Sequence, residues 1–132
     1  MKILLSSYAC EPSSGSEPFI GWSSALAIAK KHEVWVATSE ANRQRIDLAI
    51  ESRTIPENLH FLYLGENQPP HPNRMLARLQ GWRRYNNWSR ILLRYAREWH
   101  KEIKFDLTHH VTYMTWRVAT PLWKLGDRKS VV

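Results

Sequence analysis

The chain has 132 residues, enough for one ordinary domain and too few for two. Hydrophobic residues make up 43% and charged residues 23%, a globular composition that excludes a disordered segment. The formal charge of +7 favours anionic partners (a nucleotide, a nucleic acid or an acidic lipid leaflet) without choosing among them.

A short buried strand is predicted over residues 2–9, where the apolar run Ile3-Leu4-Leu5 is cut by Ser6 and Ser7 and bounded by a Gly/Pro/Ser cluster. That cluster, residues 11–18, reads as a loop. A helix follows over residues 16–31, with Ile20, Trp22, Ala25, Leu26 and Ala29 on one side, Pro18 in the first turn and Lys30-Lys31 at the end. Residues 33–39 read as a second buried strand, and residues 40–53 as a helix whose core candidates are Ile46, Leu48, Ala49 and Ile50. A turn at 56–58 leads to a third strand over 59–64, and residues 67–73 form a breaker-rich loop. A long helix is expected over 74–104, broken near Gly81 or Asn86-Asn87, then a fourth strand over 105–111 and a short helix over 116–125. Alternation of this kind predicts an α/β fold: a Rossmann-like parallel sheet with helices on both faces.

The apolar start is too short for a signal peptide, and no run reaches the roughly 20 apolar residues of a membrane span. The single Cys10 excludes an intramolecular disulfide and fits a reducing compartment. The chain is therefore expected in the cytoplasm, or peripheral at the inner face of a membrane.

The turn Gly15-Ser16 stands at a helix N-terminus, where backbone N–H groups and the helix dipole suit an anion. Gly15 and Gly21 give G-x5-G, which is neither G-x-G-x-x-G nor a P-loop, so a dehydrogenase and a P-loop kinase both lose ground. A tight turn alone accounts for Gly15 equally well. Six His are present, but only His109 and His110 are adjacent, and neighbours on a strand cannot chelate one ion. No CxxC occurs, so no metal is expected, and no other cofactor is called for; Ser/His/Asp nucleophilic catalysis lacks a G-x-S-x-G elbow.

The run KILLSSYACEPSSGSEPFIGW over residues 2–22, followed by ALAIAKKHEVWVAT over 25–38, resembles the opening of glycosyltransferase family 4. One branch of that family begins with a strand, an Ala-Cys-Glu-Pro segment, a Gly-Ser-Glu-Pro turn and a Gly-Trp helix start. Residues 105–117, FDLTHHVTYMTWR, resemble the fourth strand of that branch and the loop after it, and Asn-Leu-His-Phe at 58–61 its third strand. The resemblance reaches to about residue 126.

It implies a retaining enzyme of the GT-B fold, in which two Rossmann-like domains face each other across a cleft. The N-terminal domain mainly receives the acceptor, and the C-terminal one grips the nucleotide-sugar, which is a substrate and not a cofactor. On this pattern residues 1–126 are the N-terminal domain and 127–132 a tail outside it, leaving the sheet short of a further strand. The chain reads as a fragment that would be inactive without its C-terminal Rossmann domain. The resemblance also implies that Gly15 and Ser16 approach the donor's diphosphate or sugar, and that a His after the fourth strand lies near the transferred sugar. Strand alternation sends His109 and His110 to opposite faces, so only one of them is expected in the cleft; the family pattern favours His109, with His110 close behind. Glu17, Thr112 and Tyr113 are candidates for binding an acceptor hydroxyl. The alternatives are a first-turn carboxylate that stabilises the helix, which also applies to Glu11, and loop hydroxyls in water. The acceptor itself, a lipid-linked or surface glycan, is not specified.

Residues 74–101 interleave eight Arg and Lys with Trp82, Tyr85, Trp88, Tyr95 and Trp99. Leu92, Tyr95, Trp99 and Ile103 fall on one helical face and are expected in the core. The basic side admits three readings: a solvated face, an anionic membrane surface, or nucleic acid. The resemblance favours the membrane over nucleic acid. The alternative to a transferase is a non-enzymatic basic α/β module binding nucleic acid or such a membrane.

Overall fold

The computed structural model describes residues 1–13, 15–52, 55–112, 120–125 and 130–131. Among them five strands, β1 (Lys2–Ser6), β2 (Glu33–Ser39), β3 (Leu59–Leu64), β4 (Leu107–His110) and β5 (Ser130–Val131), form one parallel sheet in the order β3-β2-β1-β4-β5. Three helices, α1 (Ser16–Ala29), α2 (Arg43–Glu51) and α3 (Arg74–Ile103), connect them. The α/β, Rossmann-like architecture predicted from the alternation is what forms.

Both faces of the central strands are buried, as parallel sheets require. Leu5, Val34, Val36 and Leu59 meet Trp22, Ala25 and Ala29 of α1 and Ile46 of α2. On the opposite face Leu4, Ala37 and Leu64 meet Tyr85, Trp88, Leu92 and Ala96 of α3, with Phe105 and Leu122 closing that layer. The chain thus crosses from one face to the other between β3 and β4, and β1 and β4 become neighbours across the point of reversal.

Local chemistry fixes the ends of these elements. Asn58 Nδ2 donates to the carbonyls of Ala29 and His32 at 2.6 Å each, satisfying the C-terminal end of α1. Asn73 Oδ1 accepts from the N–H groups of Met75 and Leu76 at 3.0 and 3.2 Å, capping α3.

Four expectations need correction. Of the core candidates on α2, Ile46 is buried and Ala49 packs at the margin, but Leu48 and Ile50 are exposed. A nine-residue helix offers the sheet one narrow face, and Leu48 is turned roughly 200° from Ile46. Second, α3 is not broken. Gly81 costs a helix about 1 kcal/mol against alanine and removes no backbone hydrogen bond, while Asn86 and Asn87 ride between the buried Tyr85 and Trp88. Third, the buried row of α3 is Tyr85, Trp88, Leu92 and Ala96, and Tyr95 is exposed. Trp99 and Ile103 pack only at its margin. Fourth, the tail supplies a strand: Ser130 and Val131 pair with Thr108 and His109 at the sheet edge. Within the predicted helix over 116–125, Pro121–Leu125 is a 3-10 turn, and residues 116–119 lie outside the described residues.

A methyl group at Gly81 would meet nothing within 4 Å. Gly81→Ala is therefore expected to stabilise the protein by about 0.5–1 kcal/mol, read as a higher urea midpoint with unchanged slope.

Candidate functional site

In open parallel sheets, ligands bind beyond the carboxyl ends of the strands at the point where strand order reverses. Here that point lies between β1 and β4, whose following loops carry the sequence candidates.

These loops are clamped together. Ser7 Oγ donates to Ala9 O at 2.9 Å, and Thr112 Oγ1 accepts from Ala9 N at 3.1 Å. With the Ser7 hydrogen committed, the 3.3 Å contact between the two hydroxyls is a donation from Thr112. Gly21 of α1 presses directly on this group: a Cβ there would fall inside the contact distance of Ser7 Oγ and Ala9 O and lie 3.2 Å from Thr112 Cγ2. Nearby, Tyr8 O accepts from Ser39 N, Thr38 Oγ1 and Asn42 Nδ2, tying the same loop to the end of β2.

Thr112 is 1% exposed and its hydroxyl is spent on the clamp, so it supports the loop and does not face an acceptor. Gly15 is the N-cap of α1 at φ 45° and ψ 171°, a backbone region that a side chain strains, and it leaves the first turn without a side-chain cap. Ser16 begins the helix, and Glu17 lies in its first turn, exposed. His110 is buried on the α3 face with Nδ1 2.9 Å from Ser6 Oγ. His109, in register with Leu5, falls on the α1 face and is half-buried. Tyr113 lies outside the described residues. Glu11 is buried and paired with Arg45 of α2 at 2.5 Å, which ties the loop to that helix.

Cys10 is enclosed in the core beside α1. Burial pushes its thiol up to about 12. A thiol reagent at neutral pH is expected to label it about a thousandfold more slowly than a free cysteine, with full reactivity on unfolding. Because the folded value lies above the unfolded one of 9.0, this group contributes its full stability below about pH 9 and loses it as pH rises toward 12.

A second feature gave no signal in the sequence. On the α3 face, Tyr8, Ser39, Glu66, Gln68, Arg84 and Asn87 line a cavity of about 50 Å³ at the ends of β1, β2 and β3. Pockets for whole small-molecule ligands run to about 300–1,000 Å³. This one admits a single polar group. Burial raises the Tyr8 phenol above its ordinary value, while the Ser39 hydroxyl and the Arg84 charge pull it down. Arg84 also donates from Nη2 to Pro69 O at 2.9 Å, holding the loop after β3 over the cavity. These residues come from four separate segments, and only the fold assembles them.

Among the described residues no group of three or more His, Cys, Asp or Glu could hold a metal ion, and no helix is long and apolar enough to cross a membrane. No family model matches the chain, and neither a search of curated proteins nor one of solved structures yields a match.

Proposed function

We propose that this chain is the N-terminal, acceptor-side domain of a retaining glycosyltransferase that moves a sugar from a nucleotide-sugar to an acceptor hydroxyl. The observation that carries the reading is the clamp of Ser7, Ala9, Gly21 and Thr112 between neighbouring β1 and β4. It holds α1, whose N-cap is Gly15, against the loops after β1 and β4, and on this reading a donor's diphosphate meets the uncapped first turn of that helix. Gly15 and Ser16 would receive the phosphate or sugar, Glu17 an acceptor hydroxyl, and His109 would stand by the transferred sugar, with His110 held beneath by Ser6. The small polar cavity beside Arg84 suits one hydroxyl or charged group of the acceptor. Catalysis then rests on positioning and on stabilising the departing diphosphate, with no metal or other cofactor. A second Rossmann domain would grip the donor, so this chain alone is expected to be inactive, in the cytoplasm or at the inner membrane face. A non-enzymatic basic module is the second reading, favoured by the basic side of α3.

The test is a titration of isotope-labelled protein with nucleotide-sugars, following backbone amide resonances. Shifts should concentrate at Gly15, Ser16, Glu17 and His109. Shifts confined to the arginines of α3, or none at millimolar ligand, would remove the donor-site assignment.

A further inference from the structure

The first three turns of α3 contribute no buried residue. None of positions 74–84 is buried, and burial begins at Tyr85. At 1.5 Å per residue those positions span about 16 Å of helix outside the buried core, packed against the loop after β3. An isolated helix of that length is marginal in water, so this overhang gains little stability of its own.

Its surface is two-sided. Met75, Leu79 and Trp82, 73%, 53% and 61% exposed, follow one another at spacings of four and three and make one apolar stripe. At 100° per residue, Arg78 falls on one side of that stripe and Arg83 on the other. No acidic residue occurs from position 74 to position 97, a stretch that holds seven arginines. Exposed apolar patches of this kind mark interaction sites, and the uniform positive charge selects an anionic one.

We infer that the α3 overhang docks on an anionic lipid bilayer, with Met75, Leu79 and Trp82 entering the headgroup boundary and the flanking arginines on lipid phosphates. An interfacial helix needs this combination of apolar stripe and basic flanks, whose long side chains reach up to the headgroups. Nucleic acid matches the stripe poorly: two of its three residues are aliphatic, which bases cannot stack on. Two tryptophans, Trp82 and Trp88, lie in the N-terminal half of this helix. Trp88 is 2% exposed, which leaves Trp82 and moves the docking face to the start of the helix. The inference does not depend on the transferase reading, and an inactive domain would still bind.

The experiment is co-sedimentation of the purified chain with phosphatidylcholine vesicles, with and without phosphatidylglycerol, accompanied by tryptophan emission. Binding is expected only with phosphatidylglycerol, weakening with salt and shifting emission to the blue. A Trp82→Phe protein should bind without that shift. Arg74→Gln, Arg78→Gln and Arg83→Gln together should weaken binding about a hundredfold, some fivefold per charge. Arg94→Gln with Arg97→Gln should leave it unchanged, since these lie about 18 Å or more along the helix from Trp82, beyond a screening length of about 8 Å. Met75→Ser with Leu79→Ser should abolish insertion while circular dichroism stays native, because both side chains are exposed. Equal binding to neutral vesicles, indifference to the three arginines, or binding to single-stranded RNA with none to vesicles would each overturn the assignment.

Discussion

Gly21→Ala is expected to cost about 3 kcal/mol or more, the upper range for overpacking a filled interior. Helix propensity alone gives the opposite sign, since alanine is favoured over glycine within a helix by about 1 kcal/mol. Packing decides the outcome. The added methyl would overlap Ala9 O and Ser7 Oγ, and neither can retreat cheaply. Ala9 O accepts the Ser7 hydroxyl, and Ala9 N is held by Thr112. Helix α1 must therefore withdraw from the sheet, which also pulls Trp22 from its stacked contact with Phe61 at 5.8 Å. The same substitution at Gly81, where the space is open, should stabilise. Urea unfolding of the two variants side by side isolates tertiary context from propensity. A Gly21→Ala protein as stable as the parent would mean that α1 does not approach the β1 loop this closely.

The clamp also explains what the opening motif encodes. Cys10 fills the core, Glu11 is paired with Arg45, Gly21 permits the close approach, and Trp22 anchors the helix. These residues hold the loop after β1 and helix α1 against the sheet, so the physical work of this run is mostly packing. Strands β2 and β3 were legible to the residue, because continuous apolar runs between breakers leave few alternatives. The face of α3 was not. Two rows cross at Leu92, one through Tyr95 and Trp99 and one through Tyr85, Trp88 and Ala96, and aromatic side chains suit either. Only the position of α3 over β1 and β2 chooses between them. A two-residue strand such as β5 carries too little pattern to be seen. That His109 and His110 take opposite faces of the sheet followed from strand alternation, whereas the burial of Thr112 depended on Ser7, which lies 105 residues away. The cavity beside Arg84 was beyond reach for the same reason of distance in sequence.

Trp88→Ala is expected to cost about 3–5 kcal/mol, a third or more of the stability common for a domain. Trp88 joins α3 to the carboxyl ends of β1 and β2. Its ring meets Tyr8 edge-on at 5.2 Å and stacks with Tyr85 at 6.2 Å, and its Nε1 donates to Thr38 O at 3.2 Å. Alanine would leave a cavity among these groups and remove the hydrogen bond to Thr38 O. Trp88→Phe keeps most of the apolar contact and loses the hydrogen bond, so a smaller cost of about 1–3 kcal/mol is expected. Tyr95→Ala removes a side chain that is half exposed and stacked on Trp99, and should cost about 1 kcal/mol or less. The three urea midpoints should therefore rank Tyr95→Ala highest, Trp88→Phe between and Trp88→Ala lowest. Should Tyr95→Ala prove the most damaging, α3 would present its other row to the sheet. Trp88 would then turn outward, and the cavity beneath Arg84 would lose its wall.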